Sequence, residues 1–563
     1  MRILFLTHGF NGLAQRLYVE LTELGHEVSI ELDIADAVTI EAVALFRPHL
    51  VIAPFMKRAI PEAVWRDTPC LVVHPGIPGD RGPSALDWAI LEGEREWGVT
   101  VLRAEAELDA GPIWATETFA MRDASKSSLY RREMTDAAVR AVKSAVSRFE
   151  ASGSRTAPID TRASRGRWRP AMRQADRQID WQHDDTRTVL RKIRSADGAP
   201  GVLDRMFDVP CRLFDAHAEP RSEPVKPGGV YARRDEAVLR ATVDGAVRIG
   251  HVRREDALDA IKLPTALAFA AQMDALPDRP LDPMEPSDTS AWREIRYDAA
   301  DGVGYLHFDF HNGAMSTAQC ERLTAALHAA MRRPERVLVL LGGSDFWSNG
   351  LHLNVIESAE SPADESWRNI AAIDDVALAI IEATDRLVIA ALQGNAGAGG
   401  VFLALAADRV WARHGVILNP HYKNMGNLHG SEYWTYLLPR RLRSGTVADV
   451  MGHRLPMGAR RAAELGLVDT VFGEAPEDFV ASVRQRAKAL AADPGLAQLL
   501  RAKADERRRD EAARPLRAYL SDELAAMRRN FYGFDPSYHI ARSNFVRRVP
   551  YSRTPLHLAA HRR

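Results

Sequence analysis

The sequence predicts a multidomain α/β protein. Residues 1–120 alternate apolar strands with helices, and the same alternation begins again at residue 292. This alternation is typical of parallel sheets covered by helices. Between the two stretches, residues 175–255 contain short strands separated by glycine-containing turns, which indicates a small β-rich module. Because 563 residues exceed what one hydrophobic core supports, we expect several domains.

The chain divides into five predicted segments. They are an α/β domain (1–165), a β-rich domain (166–265), a proline-rich linker (266–291), a second α/β domain (292–475) and a helical C-terminal extension (476–563). Residues 155–170 are polar and arginine-rich, and we interpret them as a connection between the first two domains.

Apolar runs and their boundary residues predict the individual elements. In the first domain we expect strands at Arg2–Thr7, Val28–Leu32, Leu50–Phe55, Cys70–His74 and Val99–Ala104, and helices at Leu13–Leu24, Ile40–Phe46 and Pro83–Glu92. In the second α/β domain we expect strands at Gly304–Phe310, Arg336–Leu341 and Leu387–Leu392, and helices at Thr317–Met331, Asp375–Ala383 and Val401–Ala407.

Composition restricts the class of protein. Apolar residues make up 46% and charged residues 26% of the chain, and the formal net charge is −1. We therefore expect a soluble globular protein with no nucleic-acid or membrane partner. Cys70, Cys211 and Cys320 lie far apart, which fits a reducing compartment and argues against a cysteine-built metal site. The chain starts with a strand rather than a signal peptide, and no apolar run approaches the ~20 residues of a membrane span, so we expect a cytoplasmic protein.

A histidine ends the apolar strand Cys70–His74, and a loop rich in glycine and proline (75–83) follows it. Ligands of parallel sheets bind at the carboxyl ends of the strands, and a histidine there can exchange protons near neutral pH. Asp109 lies in a second tight turn, ELDAGP (107–112). We predict that His74 and Asp109 form a catalytic pair. The alternative is a histidine that binds loop carbonyls and an aspartate that caps its own turn.

The first 255 residues resemble the folate-dependent formyltransferases. The resemblance rests on HPGIPGDRGPSALDWAI (74–90) and AELDAGPI (106–113), and the β-rich module with QIDW (178–181) is similar to their OB-like C-terminal domain. It implies a Rossmann-like domain that takes a formyl group from 10-formyltetrahydrofolate, with His74 and Asp109 as catalytic residues. We place the folate-binding residues at Gln15, Pro54 and Ser195.

One position departs from the formyltransferase pattern. The family has a catalytic asparagine two residues before the histidine, where this chain has Val72. Loss of one donor to a tetrahedral oxyanion typically lowers the rate roughly 10²–10³-fold. Two alternatives follow. Either another hydrogen-bond donor, such as protonated His74, replaces the asparagine, or the first half binds folate without transferring its formyl group.

Two loops of the second half resemble the paired signatures of the crotonase (enoyl-CoA hydratase/isomerase) family. They are FWSNGLHL (346–353), which follows a strand, and QGNAGAGG (393–400), which precedes a helix. Glycines allow close approach of the backbone, and N–H groups at a helix start can bind an oxyanion. The resemblance implies that a coenzyme A thioester binds with its carbonyl oxygen on the N–H groups of Leu351 and Gly399.

The two catalytic glutamates of the hydratases fall on Phe402 and His421 in this chain, so simple water addition is not expected. The segment HYKNMGNLHGSEYW (421–434) instead supplies Tyr422 and Glu432. A carboxylate buried among aromatic residues has a raised pKa and can act as a base near pH 7. We predict that both residues are catalytic; the alternative is a surface glutamate and a packed tyrosine.

The combination of both halves is similar to the HypX/HoxX hydrogenase maturation proteins over nearly the whole chain. This resemblance implies carbon monoxide production for the iron of nickel–iron hydrogenase, by formyl transfer to coenzyme A and decarbonylation of formyl-CoA. It also implies contact with other maturation proteins or the hydrogenase large subunit. Two alternatives stay open. The first is a 10-formyltetrahydrofolate hydrolase or amine formyltransferase with a degenerate crotonase scaffold, and the second is a non-catalytic folate- and CoA-binding chaperone.

Overall fold

The structure is a computed structural model that describes residues 1–153, 158–159, 165–221, 223–286 and 291–563. These residues form two compact units. Unit 1 comprises Met1–Asp278 and Pro550–Arg563, and unit 2 comprises Arg279–Val549.

The first sheet of unit 1 has the strand order β2-β1-β3-β4-β5-β6. Its strands are β1 (Arg2–Thr7), β2 (Glu27–Leu32), β3 (Leu50–Ala53), β4 (Cys70–His74), β5 (Glu96–Arg103) and β6 (Ile113–Ala120). Its helices are α1 (Gly12–Glu23), α2 (Asp36–Phe46), α3 (Glu62–Trp65), α4 (Ala85–Glu92), α5 (Lys126–Leu129) and α6 (Thr135–Ser152), with a π-helical turn at Tyr130–Met134.

The pairing within this sheet differs in part from the expected parallel arrangement. Strands β1 to β4 are parallel, but β5 is antiparallel to β4, and β6 is antiparallel to β5. Sequence alternation suggested a parallel neighbour because helix α4 separates β4 from β5. A helix between two strands permits either direction, so only the contacts of β5 decide its orientation.

A second sheet of unit 1 forms the predicted β-rich module, and all of its strand pairs are antiparallel. Its order is β7-β8-β11-β10-β9, with β12 paired to β11. The strands are β7 (Val202–Met206), β8 (Val209–Glu219), β9 (Val230–Arg234), β10 (Ala237–Ala241), β11 (Ala246–Arg254) and β12 (Leu263–Pro264), and the helices are α7 (Thr186–Ala196), α8 (Thr265–Ala268) and α9 (Ala270–Met273). Part of the predicted linker, residues 287–290, lies outside the described residues.

Unit 2 contains a larger and a smaller sheet. The larger has the order β13 (Ile295–Ala300), β14 (Val303–Phe308), β15 (Val337–Leu341), β17 (Leu387–Leu392), β19 (Arg409–Ala412) and β22 (Thr470–Val471). The smaller has the order β16 (Phe346–Ser348), β18 (Asn395–Gly397), β20 (Ile417–Asn419) and β21 (Met457–Gly458). The smaller sheet carries both predicted oxyanion loops, because β16 pairs with β18.

Helices cover the sheets of unit 2. They are α10 (Thr317–Met331), α11 (Leu353–Ser358), α12 (Pro362–Glu382), α13 (Gly399–Leu405), α14 (Trp434–Arg441), α15 (Val447–Gly452), α16 (Ala459–Leu465), α17 (Pro476–Ala491), α18 (Leu496–Ala513), α19 (Leu516–Tyr532) and α20 (Ser537–Val546). The mostly helical tail is therefore confirmed through residue 546. None of the helices in the described ranges is both long enough and apolar enough to span a bilayer.

The last residues of the chain pack against the edge strand β2 of unit 1. Glu31, whose side chain is fully buried, accepts hydrogen bonds from His561 Nε2 (2.8 Å) and Arg562 Nε (2.8 Å). The hydroxyl of Thr554 also donates to Glu31. A buried carboxylate with these partners fixes the C-terminal segment to the sheet.

We expect Glu31→Gln to lower the free energy of unfolding of unit 1 by about 3 kcal/mol, because it removes the buried negative charge that binds Arg562 and accepts the hydrogen bonds of His561 and Thr554. Glu41→Gln is the matched control, since Glu41 binds the same Arg562 (2.7 Å) but is 58% exposed. An exposed pair contributes about 1 kcal/mol or less. Denaturant unfolding followed by circular dichroism measures both variants; equal losses would contradict a structural role for the buried carboxylate.

Candidate active sites

His74 is held rigidly at the carboxyl end of the apolar strand β4, between β3 and β5. Its side chain is buried. The following loop passes directly over the ring, because a Cβ at Gly76 would overlap the Nε2 of His74 and lie 2.7 Å from Asp80 Oδ1. The Thr100 hydroxyl donates to the Gly76 carbonyl oxygen (2.8 Å) and fixes this loop to β5. The histidine is thus positioned by packing rather than by a flexible loop.

Carboxylates lie beside both ring nitrogens of His74. Nε2 is 3.1 Å from Asp80 Oδ1, and Nδ1 is 3.6 Å from Asp109 Oδ1. The Asp80 side chain is fully buried and forms an ion pair with Arg169, so it is an acceptor for an Nε2–H donor. That hydrogen bond favours the tautomer whose Nδ1 carries a lone pair. Asp109 is 23% exposed and lies on the Nδ1 side of the ring.

Sequence reasoning brought His74 and Asp109 together and overlooked Asp80 and Arg169. Asp80 lies in the loop 75–83. It could have been predicted as a partner of His74, because it is an acid six residues from that histidine in a glycine-rich turn. Arg169 belongs to the stretch that we interpreted as a connection. Its backbone N–H instead donates to the Arg81 carbonyl oxygen (2.9 Å), and its guanidinium also binds Glu92 (2.9 Å). Residues 155–157 and 160–164 of that stretch lie outside the described residues.

Two of the three predicted folate residues lie near the carboxyl edge of the first sheet. Gln15 is in the first turn of α1, which follows β1, and Pro54 directly follows β3. The parallel strands β1, β3 and β4 end at the same edge, so these positions share it with His74. Ser195 is buried near the end of α7, where its hydroxyl donates to the Lys192 carbonyl oxygen (2.8 Å). All three assignments stay predictions.

The two predicted oxyanion loops of unit 2 are in contact. A Cβ at Gly350, which has φ +74°, would lie 3.4 Å from the Gly399 nitrogen. The backbone pairing around Leu351 uses the carbonyl of Gly350 and the N–H of His352, both bonded to Met315, and does not use the N–H of Leu351. Gly399 is the first residue of α13, so its N–H has no acceptor one turn earlier in the helix. Two N–H groups suited to a carbonyl oxygen therefore lie on adjacent loops.

The carboxylate of Glu432 lies against Gly399. A Cβ at Gly399 would lie 2.6 Å from the carboxyl carbon of Glu432, so only glycine leaves room for it. Glu432 is buried, and its Oε2 accepts hydrogen bonds from Tyr422 OH (2.6 Å) and the Ser431 N–H (3.2 Å). The structure therefore places an acid and a phenol, ten residues apart in sequence, beside the predicted oxyanion donors.

Aromatic residues fill the positions of the hydratase acids. The ring of Phe402 stacks on that of Tyr422, with centroids 5.5 Å apart and an interplanar angle of 19°. Trp434 packs against the same Phe402 ring, with the ring centroids 6.4 Å apart, so that the three rings form an aromatic wall. His421, at the second hydratase position, is buried. Neither hydratase position therefore carries a carboxylate that could activate water for addition.

Burial changes the protonation of this pair. Burial raises the pKa of Glu432 to about 7; the charge of Glu523 acts in the same direction, and the Tyr422 hydrogen bond opposes it. Burial and the neighbouring Glu432 charge raise the pKa of Tyr422 well above its usual range. Near neutral pH the pair thus combines a protonated phenol with a carboxylate that can gain or lose a proton.

Two further buried carboxylates lie under the Glu432 turn, Asp374 on α12 and Glu523 on α19. Neither residue was predicted to belong to a site. Asp374 falls on the apolar face of α12 that includes Ile370 and Ala377, and Glu523 falls on the buried face of α19 that includes Met527. Both could have been predicted as site residues from the sequence, because each is an acid at a core position of an amphipathic helix.

Comparison with known families defines the class of protein. The family models of the formyl transferases match residues 4–146 and, for their C-terminal domain, 171–260, and the enoyl-CoA hydratase/isomerase model matches residues 299–528. A methionyl-tRNA formyltransferase from Syntrophus aciditrophicus is 24% identical over 226 residues, which are 40% of this chain and 72% of that protein. The chain joins formyl transferase domains to a crotonase-like domain, and both kinds of domain support an enzymatic function.

Full-length relatives then identify the family. The hydrogenase maturation factor HoxX of Bradyrhizobium diazoefficiens is 58% identical over 563 residues, which cover 100% of this chain and 97% of that protein. The crystal structure of HypX from Aquifex aeolicus in complex with tetrahydrofolic acid matches with a TM-score of 0.96 and 49% identity, over 100% of this chain and 99% of that chain. This chain belongs to the HypX/HoxX family of hydrogenase maturation factors, which confirms the resemblance and the fold class that the sequence predicted.

Proposed function

We propose that this protein makes carbon monoxide from 10-formyltetrahydrofolate, with coenzyme A as the carrier of the formyl group, for the iron of a nickel–iron hydrogenase. One observation carries the proposal: the Glu432–Tyr422 pair lies at Gly399, beside two N–H groups suited to a thioester oxygen. The tetrahydrofolate in the Aquifex aeolicus relative supports folate as the formyl donor.

At the first site, His74 acts as the general base. Its Nδ1 accepts the proton of the coenzyme A thiol, and the sulfur attacks the formyl carbon. His74 then returns the proton to the departing folate nitrogen, so that tetrahydrofolate and a formyl thioester are formed. Asp80 holds the ring through Nε2 (3.1 Å), and the Asp109 carboxylate, 3.6 Å from Nδ1, stabilises the imidazolium that forms between the two transfers.

At the second site, Glu432 removes the formyl hydrogen as a proton. The N–H groups of Leu351 and Gly399 hold the carbonyl oxygen, and the electron pair of the C–H bond becomes the carbon lone pair of CO as the C–S bond breaks. The Tyr422 hydroxyl donates its proton to the sulfur and recovers one from Glu432 across their 2.6 Å hydrogen bond. The products are CO and free coenzyme A, and no net proton is consumed.

The raised pKa of Glu432 sets the pH dependence of the second step. Glu432 must be deprotonated to act as a base, so the rate of CO release falls as the pH decreases through about 7. A thioester substrate suits this site because a thiolate leaves readily and the aromatic wall excludes water from the formyl carbon.

The test is to mix the purified protein with 10-formyltetrahydrofolate and coenzyme A and to detect CO with reduced haemoglobin. We expect CO only when all three are present. Formate without CO would favour a folate hydrolase. Binding of both molecules without turnover would favour a chaperone, and CO that forms without coenzyme A would contradict the carrier.

We expect Gly399→Ala to lower the rate of CO release from formyl-CoA roughly 10²-fold, since the new methyl group displaces the Glu432 carboxylate from the reacting carbon. Gly452→Ala is the matched control, because a Cβ at Gly452 meets no atom within 4 Å. Both variants are compared with formyl-CoA as substrate. Equal rates of CO release for the two variants would indicate that a residue other than Glu432 is the base.

A further inference from the structure

The turn that carries Glu432 has an unusual backbone. Glu432 (φ 59°) and Tyr433 (φ 58°) are successive non-glycine residues in the left-handed region. Residues with a Cβ are disfavoured there, and two in a row persist only where surrounding contacts hold them. The left-handed conformation of this turn therefore requires neighbouring groups that stabilise it.

Asp374 and Glu523 supply those contacts. Asp374 Oδ1 accepts the N–H of Glu432 at 2.7 Å. Glu523 Oε2 accepts the N–H of Tyr433 at 3.0 Å, and its Oε1 accepts the N–H of Thr435 at 2.8 Å. The N–H groups of both left-handed residues are therefore bonded to buried carboxylates from two different helices.

Ser431 links the two acids. Its hydroxyl oxygen is 2.9 Å from Asp374 Oδ2 and 3.3 Å from Glu523 Oε2. A hydroxyl has one hydrogen and can donate to only one carboxylate at a time, so the second contact is satisfied when one acid carries a proton. Throughout the described residues, no lysine, arginine or histidine forms an ion pair with Asp374, Glu432 or Glu523, which also favours a shared proton among them.

We propose that Asp374 and Glu523 are positioning residues of the second site, which hold the left-handed Glu432–Tyr433 turn so that the Glu432 carboxylate stays against Gly399. This inference rests on the proposed role of Glu432 as the base. It predicts that the two acids affect the chemical step rather than the affinity for coenzyme A thioesters.

The main test compares variants at two adjacent positions of α12. Asp374→Ala removes the two oxygens that accept the Glu432 N–H and the Ser431 hydroxyl. Asp374→Asn keeps an oxygen for the Glu432 N–H and places an N–H donor beside the Ser431 hydroxyl oxygen. Asp375→Ala is the matched control, because Asp375 is exposed on the same helix. Each full-length variant is assayed for CO release from formyl-CoA and titrated with acetyl-CoA by calorimetry.

We expect Asp374→Ala to lower kcat about 10²-fold while the Kd for acetyl-CoA changes less than threefold, because misplacement of a reacting group by 1 Å has an effect of this order. Asp374→Asn should restore kcat to within about fivefold of the unmodified protein, and a crystal structure of Asp374→Ala should show the Glu432 carboxylate displaced from Gly399. Equal kcat for Asp374→Ala and Asp375→Ala would overturn the proposal, as would equal losses in kcat and acetyl-CoA affinity.

Glu523→Gln keeps the test decisive if Asp374→Ala does not fold. Its amide group would replace one of the two oxygens that accept N–H groups, so kcat should fall about tenfold with unchanged acetyl-CoA binding; an unchanged kcat would overturn the proposal.

A Glu432→Gln variant in the same assay separates the positioning role from the proposed function of the site. If that variant releases CO normally, the proposed function of the site fails; if it is inactive while the Asp374 and Glu523 variants are fully active, only the positioning role fails.

Discussion

Glu432→Gln should lower the rate of CO release from formyl-CoA by about 10³-fold, because a carboxamide cannot accept the formyl proton. The substitution keeps the size of the side chain and an oxygen that can accept the Tyr422 hydrogen bond, so the packing of the buried site is largely retained. Haemoglobin-trapped CO, measured at saturating formyl-CoA, reports the effect.

The control for this prediction is Glu474→Gln, which makes the same chemical change at a side chain that is 86% exposed. That variant should release CO at the rate of the unmodified protein. Loss of acetyl-CoA binding in Glu432→Gln would indicate a binding role, and retention of most of the CO release would assign the base to another residue.

His74→Ala is expected to slow consumption of 10-formyltetrahydrofolate by about 10³-fold, since it removes the group that carries the thiol proton to the folate nitrogen. Formation of tetrahydrofolate, followed by its absorbance in the presence of coenzyme A, measures this step. The same variant should still convert added formyl-CoA to CO at an unchanged rate, because His74 takes no part in the second reaction.

His183→Ala serves as the matched control, because the His183 side chain is 83% exposed. It should leave both reactions unchanged. If His74→Ala consumes the formyl group normally, the general base of the first site is a different residue. If it also fails to process formyl-CoA, the two reactions do not occur at separate sites.

Elements that bury an apolar run were predictable from the sequence. The strands Arg2–Thr7, Cys70–His74 and Leu387–Leu392 and the helix Thr317–Met331 have the predicted bounds. Each is bounded by polar or turn-forming residues, so local pattern alone determines where it begins and ends.

Other features depend on contacts distant in sequence. Helix α12 begins at Pro362, well before the predicted Asp375, because its first turns are polar and buried only by tertiary packing. The smaller sheet of unit 2 consists of strands of two or three residues, which are too short to produce a periodic pattern. Strand direction in β5 and β6 likewise depends on pairing rather than on local sequence.

The candidate sites show the same division. His74, Asp109, Tyr422 and Glu432 were predicted as site residues because each lies in a loop motif, and in the structure they lie together in two pairs. Asp80 and Arg169 were not found as partners, because an ion pair between positions 89 residues apart leaves no local pattern. Asp374 and Glu523 are acids on helix faces that packing buries, and only the fold shows that both reach the Glu432 turn.

The thioester that links the two sites is the central claim, and its accumulation tests that claim most directly. Glu432→Gln, incubated with ¹³C-formyl-labelled 10-formyltetrahydrofolate and coenzyme A, is quenched in acid and analysed by mass spectrometry. We expect ¹³C-formyl-CoA to accumulate as tetrahydrofolate forms, with little CO released. Appearance of the label as formate or CO, with no formyl-CoA at any time point, would contradict transfer through coenzyme A.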